Sequence, residues 1–388
     1  MPIVNRIADL HAEITGWRRD LHAHPEILFA VERTAGKVEA LLTAFGCDAV
    51  ISGMGRTGVV GIIKGRTTQS GRTIGLRADM DALPITEKTR ADYASQIAGK
   101  MHACGHDGHT AMLLGAAKYL AETRNFDGTV AVIFQPAEEG GAGGREMVAD
   151  GLMERFGIGE VYGMHNWPGM PVGQFGIREG GIMAATDRFS IEIEGLGGHA
   201  ARPHSTIDPV VIAGQLIGAL QTLVSRNVDP LASAVVSVTV MEAGDADNVI
   251  PRSARLKGTV RTLDGAVQDF IQNKLETFVP QFAASFGAKA RCDYLRGYPV
   301  TMNWPQQTAF AATIAAEVAG VDKVDRDVAP SMAGEDFSFM LEQRPGAYIF
   351  LGNGDSAELH TDNYDFNDEA IPLGTSYWVR LAERALPL

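Results

Sequence analysis

A short apolar run that ends in two adjacent carboxylates constrains the fold of this chain most. Residues 129–136 read Thr-Val-Ala-Val-Ile-Phe-Gln-Pro, and Glu138 and Glu139 follow almost at once. Apolar and β-branched residues fill the run, which predicts a buried strand. The Gly-rich stretch 140–144 then predicts a loop. Two carboxylates at the end of a buried strand repel each other, so we expect positive charge beside them.

A cluster of metal-binding residue types lies upstream of this pair. Residues 101–110 read Met-His-Ala-Cys-Gly-His-Asp-Gly-His-Thr, and they hold three of the ten histidines and one of the three cysteines. Soft, borderline and hard ligands together favour divalent transition-metal ions, and a site for two of them is expected.

Several residues have the chemistry of a hydrolytic metal site, which needs fixed ligands, a position for water and a carboxylate base. The candidate ligands are Cys104, His106, Glu139, His165 and His360. Glu138 is the candidate base, because adjacent residues on a turn can diverge towards a metal and a water. Each residue alone has a simpler interpretation, but their coincidence at predicted strand ends and Gly-punctuated loops favours the metal site. For His102 and His109 we expect a place behind the ligands or at a helix cap.

Composition and charge narrow the class of protein. At 388 residues the chain is too long for one ordinary core, so two domains are expected. It is 45% hydrophobic and 21% charged, which is typical of globular proteins. The net charge of −13 and the lack of a Lys/Arg-rich run argue against nucleic-acid and anionic-membrane binding.

The cysteines and the N-terminal residues favour a soluble cytoplasmic protein. Cys47, Cys104 and Cys292 are odd in number and widely spaced, which does not suggest a disulfide framework. Residues 1–25 mix charged and apolar residues at helical spacing and contain no apolar signal core. No apolar run is long enough for a transmembrane helix.

The first half of the chain alternates short apolar strands with helices. The predicted strands are 58–63, 73–79, 129–135 and 160–165, and the clearest helix is 110–122. This alternation predicts an α/β domain with a mixed, mainly parallel sheet. Asp79, Glu138, Glu139 and His165 lie at the C-terminal ends of these strands, where open α/β sheets bind ligands.

Residues 183–295 follow another pattern, with the element order β-α-β-β-α-β of a ferredoxin-like α+β domain. The predicted elements are strand 188–194, helix 209–225, strands 234–241 and 254–262, helix 268–286 and strand 289–296. Residues 347–352 return to the buried-strand pattern. We therefore predict a catalytic domain of residues 1–182 and 296–388, with the domain 183–295 inserted into it.

Four motifs carry a family resemblance. They are His-Ala-Cys-Gly-His-Asp-Gly-His at 102–109, Pro-Ala-Glu-Glu-Gly at 136–140, Arg-Ala-Asp-Met-Asp-Ala-Leu-Pro at 77–84 and Gly-Gly-His-Ala-Ala-Arg-Pro-His at 197–204. The chain resembles bacterial hippurate hydrolases and plant auxin-conjugate hydrolases, within the superfamily of aminoacylase and carboxypeptidase G. The resemblance extends from His22 to His360, and chance agreement of all these motifs is negligible.

The resemblance implies a catalytic domain with two divalent ions (Zn, Mn, Co or Ni) and an inserted lid that dimerises. Cys104 would bridge the two ions, and His106, Glu139, His165 and His360 would be the other ligands. Glu138 would be the general base and acid. The implied reaction is hydrolysis of N-acyl amino acids. An N-acetyl-diaminopimelate deacetylase, an aminopeptidase and a metal-binding protein without catalysis remain alternatives.

One motif departs from the wider superfamily, whose first ligand is a histidine in a His-x-Asp motif where this chain has Arg77-Ala78-Asp79. An arginine cannot ligate a cation, so the resemblance implies that His106 supplies this ligand. The hippurate-hydrolase branch shares the departure. Asp79 would then orient a ligand histidine.

Three residues of the inserted domain match polar positions that the superfamily uses on its substrate. They are His199, Asn248 and Arg261. The resemblance further implies that His199 reaches the site of the neighbouring subunit in a homodimer. The partners expected from the sequence are therefore a small N-acyl amino acid and a second copy of the chain.

Overall fold

The computed structural model describes residues 5–388. The predicted catalytic domain begins at residue 1, and residues 1–4 lie outside the described range. The helices, in chain order, are α1 (Asn5–Ala23), α2 (Glu32–Ala44), α3 (His106–Thr123), α4 (Gly143–Ala149), α5 (Leu152–Arg155), α6 (Pro209–Asn227), α7 (Gly265–Ala284), α8 (Pro305–Ala319), α9 (Ser338–Gln343) and α10 (Ile371–Ala385). The strands are β1 (Ala49–Met54), β2 (Gly58–Lys64), β3 (Thr73–Asp79), β4 (Thr129–Gln135), β5 (Glu160–Pro168), β6 (Phe175–Gly176), β7 (Gly180–Met183), β8 (Ala185–Glu194), β9 (Gly198–His199), β10 (Ala234–Ala243), β11 (Val249–Ile250), β12 (Ser253–Thr262), β13 (Lys289–Tyr298), β14 (Thr301–Asn303), β15 (Val324–Asp325) and β16 (Gly346–Gly354).

The described chain divides into two compact units. The first contains the residues up to Gly180, Met302–Ala329 and Asp336–Leu388, and the second contains Gly181–Thr301 and Pro330–Glu335. The domain limits at residues 182, 183, 295 and 296 stay a prediction.

The first unit is built on a mainly parallel sheet, as the sequence predicts. Its strand order is β1-β2-β4-β3-β5-β16-β6-β15. Strand β3 runs parallel to both β4 and β5, and β16 runs parallel to β5. Strands β1 and β2 form an antiparallel edge on this sheet. Strand β4 is buried along almost its whole length, which explains its unbroken apolar sequence.

Helix α3 packs against α1, α10 and strand β3, and it is buried over most of its length. The apolar spacing predicted a helix from residue 110, whereas the helix begins at His106. Its first turn reads His-Asp-Gly-His, and these polar residues hide the helical periodicity. Gly105 precedes the helix with φ +91°, and a Cβ there would lie 2.2 Å from Asn166 Oδ1. Glycine is therefore required at this entry to the helix.

The second unit contains a four-stranded antiparallel sheet in the order β10-β12-β8-β13. With α6 and α7 this is the predicted ferredoxin-like arrangement, which confirms the fold class. Asp208 caps α6 by accepting hydrogen bonds from Val210 N (2.9 Å) and Val211 N (3.4 Å). Pro209 occupies the first turn of that helix, as expected from its fixed φ. The alternating residues of β8 bury Phe189, Ile191 and Ile193 in the core of this unit.

Among residues 5–388, no helix combines the length and the apolar character that crossing a membrane requires.

Candidate active site

Four neighbouring strands bring the predicted ligands to one edge of the sheet. Strands β4, β3, β5 and β16 are adjacent and parallel, so their carboxyl ends meet at the same edge. Each strand contributes there, with Asp79 at the end of β3, Glu138 and Glu139 after β4, His165 in β5 and His360 after β16. Helix α3 begins at this edge and adds His106, preceded by Cys104. The structure thus brings together the predicted ligands and the predicted base.

The two buried histidines present one ring nitrogen each to the cluster. His106 Nδ1 donates to the carbonyl of Asp81 (2.8 Å), and His165 Nδ1 donates to the carbonyl of Asn166 (2.7 Å). In the neutral imidazole that a metal ion binds, a donating Nδ1 leaves the lone pair on Nε2. His165 Nε2 lies 3.4 Å from Cys104 Sγ. Both rings thus have the usual orientation of a metal-ligating histidine, in which the nitrogen that does not bind the metal donates to a carbonyl or carboxylate.

Cys104 belongs to two overlapping groups of donors. Its Sγ lies with His106 and His165 in one group, and with Glu139 and His360 in the other. Within each group the donor atoms all lie within 4.8 Å of one another. A thiolate shared by two groups is the arrangement that the bridging role predicts, and that role stays a prediction.

The loop after β4 places Glu138 and Glu139 side by side with different surroundings. Glu139 Oε1 lies 3.3 Å from His360 Nε2 and 3.9 Å from His106 Nε2. The carboxylate of Glu138 forms a group of its own with His106 and Glu139. Both side chains are largely buried, so neither is an ordinary solvated surface carboxylate.

The carboxylates around the cluster make its electrostatic potential negative. Burial alone lowers the pKa of His106, but Asp79, a hydrogen bond to Asp81 and the charge of Glu139 raise it to about 10. Burial and the nearby carboxylates of Glu139 and Glu138 raise the pKa of the Cys104 thiol well above its usual value. A thiolate at this position therefore requires cations beside it.

His360 occupies an exposed loop in a strained backbone conformation. Its φ is +62°, in the left-handed region that a non-glycine residue rarely adopts. Its backbone N–H donates to Ala103 O (2.8 Å), which ties this loop to the segment that carries Cys104. This hydrogen bond places His360, which is far from Cys104 in sequence, beside the cluster.

Part of the support around the ligands has no clear signal in the sequence. Asp79 Oδ1 accepts from His109 Nδ1 (2.6 Å), whereas its Oδ2 is 3.7 Å from His106 Nε2. Asp79 thus binds a histidine outside the predicted ligand set, and its role in orienting a ligand stays a prediction. Asp81 accepts from the backbone N–H groups of Glu138 (2.9 Å) and Glu139 (3.1 Å). The one sequence signal for this role of Asp81 is its spacing from Asp79 in the Asp-x-Asp pattern at 79–81.

Of the two alternatives expected for His102 and His109, the helix cap is wrong, and the place behind the ligands stays a prediction. Helix α3 has no side-chain cap among the described residues, so neither His102 nor His109 caps it. His109 instead bridges Asp79 and Asn166, whose backbone N–H donates to His109 Nε2 (3.0 Å). His102 is buried, and neither of its ring nitrogens has a hydrogen-bond partner in the described part of the chain.

The predicted substrate residues lie in the second unit. His199 and Asn248 are close neighbours, because β9 pairs His199 with Val249 and Ala200 N donates to Asn248 O (3.1 Å). The exposed His199 accepts from Ala201 N at Nδ1 (3.1 Å), which puts the ring hydrogen on Nε2. Half-buried Arg261, on β12, donates to Val260 O (2.9 Å). His199 thus presents a hydrogen-bond donor, as an oxyanion contact would need.

The cluster fits divalent cations on the chemistry of its donors. His106 Nε2 and Glu139 Oε1 are buried and have no hydrogen-bond partner within residues 5–388. Buried polar atoms normally form hydrogen bonds, so a nitrogen and an oxygen that lack one among these ligand groups fit a site for a cation. Thiolate, imidazole and carboxylate donors are those that zinc and similar ions take.

Comparisons with known proteins agree with the predicted resemblance and confirm it. Residues 75–384 match peptidase family M20/M25/M40. A hippurate hydrolase of Campylobacter jejuni subsp. jejuni serotype O:2 is 42% identical over 386 residues, which is 100% of each chain. An N-acetylcysteine deacetylase of Bacillus subtilis is 40% identical over 96% of each chain.

A solved structure extends the likeness to three dimensions. A Bacillus subtilis protein described as a dinuclear metal-binding peptidase of the M20 family is 36% identical. It superposes with a TM-score of 0.86 over 98% of this chain and 99% of its own. Together with the match over residues 75–384, these likenesses establish the assignment: the chain belongs to peptidase family M20/M25/M40.

Proposed function

We propose that this protein is a metal-dependent amidohydrolase that cleaves N-acyl amino acids to a carboxylate and a free amino acid. The observation that carries the proposal is the buried donor cluster beside Glu138, in which His106 Nε2 and Glu139 Oε1 have no hydrogen-bond partner among the described residues. A site that only stores metal has no need of an additional carboxylate next to its ligands. The family assignment and its amide-hydrolysing relatives support the same reaction class.

Two divalent ions are the proposed cofactors. The residues that would hold them are Cys104, His106, Glu139, His165 and His360. When bound, the two cations supply Lewis acidity and lower the pKa of a bound water to roughly 7, as in good zinc sites. The similar structure described as dinuclear supports a pair of ions over a single one.

Glu138 carries the proton transfers in this mechanism. Its carboxylate accepts the proton of the attacking water, and the resulting acid then protonates the leaving amine. The backbone N–H of Glu138 is held by Asp81 Oδ1 (2.9 Å), so its position does not depend on the substrate. In the second unit, Nε2–H of His199 would donate to the oxyanion of the tetrahedral intermediate. Asn248 and Arg261 would bind the polar groups of the amino acid.

An aromatic surface beside the cluster suits an apolar acyl group. Trp167 lies two residues after His165 on the same face of β5, and their ring centroids are 6.3 Å apart. The indole stacks on buried Phe350 with centroids 4.0 Å apart and stays half-buried. We assign the remaining open part of Trp167 to the acyl group of the substrate.

The assembly and location complete the proposal. We propose a homodimer in which His199 of one subunit serves the site of the other. The proposal is supported by the exposed position of His199 on strand β9 and by the resemblance that the motifs carry. A cytoplasmic location stays a prediction from the sequence.

A substrate panel tests the proposed activity. The protein is stripped with a chelator, reloaded separately with Zn²⁺, Mn²⁺, Co²⁺ or Ni²⁺, and assayed for release of free amino acid. We expect metal-dependent hydrolysis of N-benzoylglycine and N-acetyl amino acids. Turnover confined to N-acetyl-diaminopimelate, or to peptides with a free amino terminus, would favour the deacetylase or aminopeptidase alternative. Activity that survives complete metal removal would contradict the proposal.

A further inference from the structure

A buried carboxylate far along the chain holds both ends of the loop that carries Glu138 and Glu139. Asp336 Oδ1 accepts from Gln135 Nε2 (2.7 Å), at the last residue of β4. Asp336 Oδ2 accepts from Gly144 N (2.8 Å), in the first turn of α4. The loop 136–142 lies between these two contacts. Asp336 is fully buried, so water does not compete for either hydrogen bond.

The same loop is strained, which explains why it needs to be held. Ala137 and Ala142 have φ angles of +55° and +57°, in the left-handed region. This conformation is unfavourable for a residue other than glycine and persists only where the surroundings enforce it. Between them, Gly140 also has positive φ, at +90°. Two strained alanines flank the pair of glutamates, so the free loop would relax away from this conformation.

Arg77 offsets the free-energy cost of burying the Asp336 carboxylate. Its Nη2 donates to Asp336 Oδ1 (2.9 Å), its Nε to Gln135 Oε1 (2.9 Å) and its Nη1 to Asp79 Oδ2 (2.7 Å). Arg77 is 1% exposed, and its guanidinium forms ion pairs with both buried acids, Asp79 and Asp336. The position that departs from the metal-ligating histidine of the wider superfamily thus supports the loop of the catalytic glutamate.

We infer that Asp336, paired with Arg77, is a positioning residue that sets the place of the Glu138 carboxylate through the two ends of loop 136–142. This inference rests on the proposed function for Glu138. Asp81 holds the middle of the loop through Glu138 N and Glu139 N, and Asp336 holds its ends. Asp336 itself transfers no proton. A misplacement of about 1 Å at a reacting group can cost roughly 10²-fold in rate.

The variant Asp336→Asn tests the inference, because it keeps the shape of the side chain and places an NH₂ group among three donors. We expect kcat to fall by roughly 10²-fold, with KM little changed. Backbone amides of residues 136–144 should exchange hydrogen faster than in the wild type. The matched control is Asp127→Asn, since Asp127 also clamps a turn, through Gln69 N (2.7 Å) and Ser70 N (3.0 Å). That variant should leave kcat and the exchange of 136–144 unchanged.

A double-mutant cycle separates positioning from general destabilisation. In a Glu138→Gln background, Asp336→Asn should lower the residual turnover by less than about threefold, because its effect acts through Glu138. A loss in that background as large as in the wild type would overturn the inference. Unchanged hydrogen exchange of 136–144 in Asp336→Asn would overturn it too, and this readout needs no substrate. Failure of the proposed function would instead appear as wild-type inactivity with the exchange effect intact.

If Asp336→Asn does not fold, the variant Gln135→Met tests the inference by the same two measurements, kcat and the hydrogen exchange of residues 136–144. This variant removes one donor to Asp336 at nearly constant volume. We expect roughly tenfold lower kcat and faster exchange of 136–144. Wild-type values for both would overturn the inference.

Discussion

The predicted ligands of the first unit and the predicted substrate residues of the second differ in what holds them. His106 and His165 are buried, and a carbonyl fixes the ring of each. His199 is exposed, and within residues 5–388 the hydrogen bond of its ring is to Ala201 N, two residues along the same segment. Arg261 likewise bonds to its own strand. The side chains of the predicted metal cluster are therefore fixed in advance, whereas the polar side chains of the second unit are held only by their own segments among the described residues.

The largest effect is expected from removing the proposed base, Glu138, from the fixed side chains of the first unit. Glu138→Gln keeps the shape of the side chain but cannot accept a proton. We expect kcat to fall by at least roughly 10²–10⁴-fold while the metal content stays at the wild-type level. The neighbouring variant Glu139→Gln should lose metal instead. Near-wild-type kcat in Glu138→Gln would show that the base is another residue.

The exposed donor of the lid provides the second test. His199→Ala should lower kcat by roughly 10²–10³-fold, as expected for loss of one oxyanion donor, and should leave the metal content unchanged. A wild-type kcat would make His199 an ordinary loop residue.

Mixing subunits sharpens that test by asking which chain His199 serves. Inactive Glu138→Gln and His199→Ala proteins, refolded together, should form heterodimers with one intact composite site. Activity should then reappear. Heterodimers that are demonstrably present but inactive, or a fully active monomer, would rule out the trans arrangement.

A buried ion pair behind the cluster predicts a pH effect on stability. His22 Nδ1 lies 2.8 Å from Asp107 Oδ2, and its Nε2 lies 3.3 Å from Glu87 Oε1. Burial lowers the pKa of His22, but Asp107 and Glu87 outweigh it and raise the pKa to about 9. A folded-state pKa above the unfolded value of about 6.5 gives stability that is complete below pH 6.5 and is lost as pH rises through 9.

Chemical denaturation across this pH range measures the effect. The free energy of unfolding should fall by on the order of 3 kcal/mol from about pH 6.5 to above pH 9 in the wild type. His22→Gln should lack this part of the pH dependence. If the free energy of unfolding depended on pH identically in the two proteins, His22 would not be the source of the effect.

The smallest expected effect concerns the lid strand β12. If Arg261 binds a charged group of the substrate, Arg261→Gln should raise KM by roughly 10–100-fold, the value of a hydrogen bond to a charged group. The matched control is Arg255→Gln on the same strand, where Arg255 lies 3.7 Å from Glu242. Equal kinetics for both variants would mean that Arg261 is an ordinary strand arginine.

The sequence predicted most of the fold because hydrophobic pattern and chain order determine it. The buried strand 129–135 and the lid order β-α-β-β-α-β appear as expected. Two-residue strands such as β9 and β11 escaped prediction, since they are too short to show a period.

The supporting residues of the site were harder to foresee. Asp336 meets Arg77 across 259 residues of sequence, and Asp81 binds backbone N–H groups, which carry no residue-specific signal. Ligand types are visible in a sequence, whereas the partners that orient them depend on where distant loops return.

Counting metal ions tests the central claim most directly. The claim is that one buried cluster in the first unit holds two divalent ions around Cys104. Elemental analysis of the reloaded protein, with Cys104→Ser as the comparison, should give two ions per wild-type chain and fewer in the variant. A wild-type chain that binds a single ion, equally well retained in Cys104→Ser, would contradict the account.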